Sequence, residues 1–133
     1  GFPGETDKDF EETLNVIREG KFDAVYMFKF SPRPGTKANY MEDEFVEKNI
    51  IDSRFMQLKH IQTEISHQRY KRFIGTHQNL LVEKYSKKTD EFLSGKIDGG
   101  QTTHISSVNV QIGDYIKVKI TDATPFALSA VAV

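Results

Sequence analysis

Two short segments combine glycine or proline with polar side chains in a way that suits ligand contact. Gly1-Phe2-Pro3-Gly4-Glu5-Thr6 stands immediately before a helical pattern. Glycine there lets backbone amides approach a ligand, and the positive end of a helix favours an anionic group. The two glycines make this segment a candidate ligand contact. The competing reading is an ordinary strand-to-helix turn, since no lysine completes a phosphate loop. Ser31-Pro32-Arg33-Pro34-Gly35-Thr36 follows an apolar run, at the end of a strand where α/β folds gather their ligand loops. Arg33, held between two prolines, gives up little freedom on meeting an anion, so Ser31 and Arg33 join the candidates. A rigid surface turn explains the same residues equally well.

Other chemistries find little support. His60 and His67 are seven residues apart on a presumed helix, where joint ligation of one ion favours four, and His77 and His104 add no metal spacing. No nucleophile–base pair and no isolated carboxylate pair stands out from the acidic background. The absence of cysteine excludes disulfides, thiolate metal sites and a cysteine nucleophile within these residues.

A stronger case comes from the second half. Arg72, Lys84, Lys87, Lys88, Lys96, Lys117 and Lys119 accumulate there with little opposing charge, and Tyr85 and Phe92 flank the Ser86-Lys87-Lys88 turn. Cations with an aromatic nearby attract phosphates and offer a stacking surface, as RNA-binding proteins use them. These seven residues are the candidate RNA contacts, set against the alternative of a solvated basic face.

The elements that must position these residues follow from pattern. The chain has 133 residues, 38% apolar and 28% charged, enough for one domain or two small globular units. No apolar run is long enough to cross a membrane. Residues 1–66 hold 9 basic and 13 acidic side chains, and residues 67–133 hold 9 and 6, a split of −4 against +3 that suggests two units. Thr6 reads as a helix N-cap followed by Asp7, Asp9, Glu11 and Glu12, with Phe10, Leu14 and Ile17 on one face and Gly20 as terminator. The apolar centre of residues 22–30 reads as a buried parallel strand. From residue 41 to 74 neither proline nor glycine interrupts a helical pattern in which Ile51, Leu58 and Ile65 recur.

After Gly75 the period changes to two. Strands are expected at 79–85, 92–97, 103–110, 115–121 and 126–131, separated by turn residues. Tyr115 to Ile120 places Lys117 and Lys119 on one face and Ile116, Val118 and Ile120 on the other. Five short strands in this span predict a small antiparallel β-barrel. The predicted whole is an α+β fragment: βα units over 1–40, a helical linker over 41–69, and the barrel over 70–133.

The quoted segments resemble a known family. Gly1-Phe2-Pro3-Gly4-Glu5-Thr6 and Phe30-Ser31-Pro32-Arg33-Pro34-Gly35-Thr36 are similar to the ends of the last two barrel strands in radical-SAM methylthiotransferases, particularly the MiaB-type enzymes that act on tRNA. Arg54, Leu58 and residues 62–66 look like that family's linker. Residues 82–88, Gly95-Lys96 and residues 113–123 look like its OB-like, RNA-binding TRAM barrel. Where the family has glycine-arginine-threonine this chain has Gly95-Lys96-Ile97, and Gly99 or Gly100 stands in for a nearby asparagine. Any base-specific contact at that loop is thereby in doubt. The start at Gly1-Phe2-Pro3-Gly4, without methionine or signal pattern, points to a piece of something longer.

The resemblance implies a partial TIM-like barrel ending before residue 41 and an activity belonging to the longer parent. There, two four-iron–four-sulfur clusters and S-adenosylmethionine would add a methylthio group to isopentenyladenosine beside the anticodon. The cluster cysteines would lie upstream, so this fragment is expected to bind no cluster and to be inactive alone. Residues around Gly1, Phe2, Gly4, Glu5, Ser31 and Arg33 would border the S-adenosylmethionine and substrate cavity. The expected partner is the anticodon stem-loop of tRNA in the cytoplasm, with no membrane. Sister enzymes acting on a ribosomal-protein aspartate or on threonylcarbamoyladenosine share the architecture, and a non-catalytic RNA-binding module is the reading from another class. Self-association through an exposed sheet edge at residues 24–28 is a further expectation.

Overall fold

A computed structural model describes residues 1–86, 92–106 and 109–133. The chain divides into two compact units, Gly1–Ile65 and Ser66–Val133.

In the first unit α1 spans Asp7–Gly20 and buries Leu14 and Ile17. Its start is fixed by a reciprocal capping box. The Asp9 amide donates to Thr6 Oγ1 (3.2 Å), and the Thr6 amide donates back to Asp9 Oδ2 (2.9 Å). Two of the helix's orphan donors are thereby satisfied, and the Thr6 bonds hold the Asp9 carboxyl below its usual range. The helix ends one residue later than expected. Lys21, not Gly20, takes the left-handed position at φ 45°, while a β-carbon at Gly20 would lie 2.5 Å from the Phe22 ring. Gly20 is thus not the left-handed residue, and the exposed Phe22 ring lies over it.

Residues 22–30 do not form the expected strand. Asp23, Val25 and Met27 are half-buried, whereas Tyr26 and Phe28 are 91% and 86% exposed. The two-residue alternation of a strand is present, yet its backbone has no ladder partner among the described residues, and a strand is defined by that pairing. Gln62 Nε2 instead holds the segment by donating to the Phe22 carbonyl (2.9 Å), and Lys29 pairs with Asp52. Two 3-10 turns, Lys37–Tyr40 and Glu42–Glu44, lead to α2, Lys48–Lys71.

The second unit is a closed barrel. Its strands are β1 (His77–Tyr85), β2 (Phe92–Ile97), β3 (Thr102–Ser106), β4 (Tyr115–Ala123) and β5 (Leu128–Ala132), in the order β1-β2-β3-β5-β4. Inward residues Leu80, Val82, Leu93, Ile105, Val118, Ile120 and Leu128 form the core, joined by Tyr70 from the end of α2. Burying such side chains contributes about 1.5–3 kcal/mol each. The barrel is not wholly antiparallel: β3 and β5 pair in parallel, Thr103 with Leu128 and Ile105 with Ala130. Topology requires this. Strands alternating in direction around a closed ring must be even in number, so five leave at least one parallel pair.

Two local features shape the outer surface. A register shift between Val82 and Lys84 in β1 marks a bulge, and it turns Lys84 outward where strict alternation from Leu80 and Val82 would bury it. Opposite lies Gly95, whose added β-carbon would sit 1.8 Å from the Leu81 carbonyl oxygen. Only glycine fits where the two strands approach so closely.

Candidate nucleic-acid interface

The two glycine- and proline-containing segments of the first unit meet through aromatic rings. Phe30 packs edge-on against Phe2 (centroids 5.4 Å) and against Phe45 (5.7 Å). Gly4, at φ 78°, donates its amide to the Glu44 carbonyl (2.8 Å). Ser31 and Arg33 are exposed, and the Arg33 carbonyl accepts from the Thr36 amide and hydroxyl. The Phe2–Phe30 contact thus brings together the neighbourhoods of both predicted segments.

The central side chain of this region was placed by sequence reasoning only as part of a linker. Arg54 is 8% exposed and reaches back 49 positions, donating from Nη1 to the Glu5 carbonyl (3.1 Å) and Oε1 (2.7 Å), and from Nη2 to Asp7 (2.8 Å). These partners raise its pKa, so it stays a cation. Glu5 is thereby tied to α2 through Arg54. Arg54→Ala should loosen residues 1–7 and destabilise this unit by about 2 kcal/mol. Amide exchange at Gly4–Asp7 and a thermal melt check it; unchanged exchange would refute the role.

Residues present here do not suffice for the cofactors that the resemblance implies. There is no cysteine in the chain, and no group of three metal-ligating side chains occurs among the described residues. A cleft lined by Gly1, Glu5, Phe10, Phe28, Arg54 and Leu58 measures about 170 Å³.

On the barrel, the outer face of β1, β2 and β4 carries the cations. Strand pairing sets Thr102 beside Lys96, Lys96 beside Leu81 and Leu81 beside Tyr115 in one row. Next to it Asn79 faces Lys117, and His77 faces Lys119. Lys84, Lys96, Lys117 and Lys119 are exposed. None of the four pairs with a carboxylate among the described residues, though Lys96 Nζ donates to Thr102 Oγ1 (2.7 Å). Unpaired lysines on one strand face leave their field available to a polyanion. Within the row, Asp98 accepts from the Tyr115 hydroxyl (2.9 Å) and from Asn79 Nδ2 (3.0 Å). The bond to Asp98 pushes the Tyr115 phenol pKa up, keeping it protonated.

Residues 71–133, which include this whole face, match the TRAM domain family. The barrel is a TRAM domain. Over 98% of its length the chain is 40% identical to a tRNA-2-methylthio-N(6)-dimethylallyladenosine synthase of Corynebacterium jeikeium, covering 26% of that protein. A synthase of the same name from Bacillus pumilus is 40% identical over 96% of the chain, covering 25% of that protein. One from Clostridium novyi is 37% identical over 97%, covering 28%. The chain therefore spans about a quarter of the length of these curated relatives and is homologous to their C-terminal region.

Within the TRAM domain the candidate RNA contacts divide. Lys96, Lys117 and Lys119 share the β1–β2–β4 face, and Lys84 is turned outward at the bulge. Arg72 lies just after α2, its guanidinium 4.9 Å from the Phe73 ring. Lys87 and Lys88 lie outside the described residues. Tyr85 and Phe92, which flank them in sequence, are exposed, and the Ser86 amide donates to the Phe92 carbonyl (2.7 Å). Sequence reasoning missed Asn79, Asp98 and Tyr115 as a set. Tyr115 lies 17 positions from Asp98, and only the closure of β4 onto β1 brings them together.

Proposed function

We propose that this chain is the C-terminal part of a radical-SAM tRNA methylthiotransferase, and that its TRAM domain holds the anticodon stem-loop while upstream residues perform the chemistry. The observation that carries this reading is identity of 37–40% across nearly the whole chain with synthases named for that tRNA product. The exposed lysines of the barrel face support it, since backbone phosphates are what such a surface attracts. The parent would add a methylthio group to isopentenyladenosine beside the anticodon in the cytoplasm, using S-adenosylmethionine and two four-iron–four-sulfur clusters bound upstream. Gly1, Phe2, Gly4, Glu5, Ser31 and Arg33 would contribute one border of its cavity. The Phe2–Phe30 contact supports that placement by setting the two segments side by side. The names of the relatives favour this product over the aspartate and threonylcarbamoyladenosine alternatives.

The test compares the 133-residue chain with a longer parent containing it. Anaerobic reconstitution with iron and sulfide should load the parent and leave this chain without a stoichiometric cluster, while both bind tRNA. Removing residues 71–133 from the parent should raise its KM for tRNA without emptying its clusters. A stoichiometric cluster on the short chain, or a KM unmoved by the deletion, would overturn the reading.

A further inference from the structure

The lysines of the barrel face account for attraction to phosphate and leave the row between them unexplained. At its centre two apolar or aromatic side chains stand in the open, Leu81 at 43% and Tyr115 at 63% exposure. They are direct neighbours across β1 and β4, with Lys96 beside Leu81 and Lys117 two positions beyond Tyr115. An exposed tyrosine ordinarily swings freely about its side-chain torsions. Here its hydroxyl is tied to Asp98 (2.9 Å), and Asp98 is itself held by Asn79 (3.0 Å). The bond restrains the ring before any ligand arrives, which lowers the entropy cost of stacking on it. With both contacts made, the Asp98 carboxylate serves as an anchor for the ring.

We propose that the Tyr115 ring, with Leu81 beside it, is a platform for one unpaired RNA base, the flanking Lys96 and Lys117 taking the phosphates on either side. The proposal rests on the reading of the barrel as an RNA-binding unit and deepens it. Phosphate contacts alone would treat paired and unpaired RNA alike. A base must be out of its helix to stack on a protein ring, so the platform selects loops or single strands over duplex. Charge complementarity with lysines that meet no carboxylate among the described residues commits the occupant to nucleic acid.

The experiment uses the full 133-residue chain and two RNAs, an anticodon-type stem-loop with 2-aminopurine in its loop and a fully paired duplex of similar length. Tyr115→Ala should weaken stem-loop binding about tenfold, the order expected for losing one stacked base, and leave duplex binding and the salt slope unchanged. Quenching of 2-aminopurine by the parent should disappear in the variant. Tyr115→Phe keeps the ring and loses the Asp98 bond, so it should retain most of the quenching. Circular dichroism confirms that both variants keep the barrel. Equal stem-loop affinity and quenching in parent and Tyr115→Ala would overturn the platform, and so would a loss shared equally with duplex. If the parent itself binds neither RNA, the RNA reading fails instead, which is a distinguishable result.

Discussion

Gly95→Ala should unfold the TRAM domain. An added β-carbon would sit 1.8 Å from the Leu81 carbonyl oxygen and 2.7 Å from its carbon, and both are backbone atoms that no rotamer change can move aside. The neighbouring residues leave no slack, since Leu93 and Ser94 before it and Val82 opposite are buried. Relief would require parting β1 from β2 beside the bulge, breaking ladder bonds in a barrel closed by few strands. We expect a loss of about 4 kcal/mol or more, most of the stability of a small domain. Thermal melts followed by circular dichroism check this. A cooperative transition within a few degrees of the parent would show that the strands can separate at that point without loss. The same substitution at Gly113, where nothing lies within 4 Å but φ is 95°, provides a comparison limited to backbone strain.

Replacing Lys96, Lys117 and Lys119 together by alanine should have the largest effect on binding and little on folding. All three project from the β1–β2–β4 face, and none is bound to a carboxylate among the described residues. Each that neutralises a phosphate releases a counterion, so the salt dependence of binding should flatten by about two to three units and affinity should fall by roughly a hundredfold at low salt. The loss should be similar for RNAs of different sequence, because phosphate contacts carry no base information. The melting temperature should stay near the parent's, since exposed charges contribute little to stability.

Much of the architecture is legible before any coordinates. Local chemistry is enough for α1, where Thr6 and Asp9 lie three positions apart and cap each other. It is enough for β2, whose observed limits Phe92–Ile97 coincide with the expected ones, and for β4, where alternation separates buried Val118 and Ile120 from Lys117 and Lys119. What fails to show is what depends on distant partners. Residues 22–30 carry the composition of a buried strand, but composition cannot supply the ladder that makes one. The parallel pairing of β3 with β5 is a property of ring closure, not of either strand's residues. The bulge that turns out Lys84 depends on how β1 meets Gly95. Arg54 scores as a solvent residue in any hydrophobic pattern, yet it is buried and paired with Glu5 and Asp7. The candidate site divides similarly: its lysines can be read from alternation, whereas the Tyr115–Asp98–Asn79 arrangement needs the closed barrel.

The central claim is that the TRAM barrel grips tRNA chiefly through phosphates on its lysine face. It is tested most directly by titrating a labelled anticodon stem-loop with the 133-residue chain at several salt concentrations, beside the Lys96, Lys117 and Lys119 triple-alanine chain. The expected result is a logarithm of affinity that falls linearly with the logarithm of salt for the parent, with a distinctly shallower line for the variant. Parent binding that is absent or indifferent to salt would contradict the account, and so would two lines of the same slope and height.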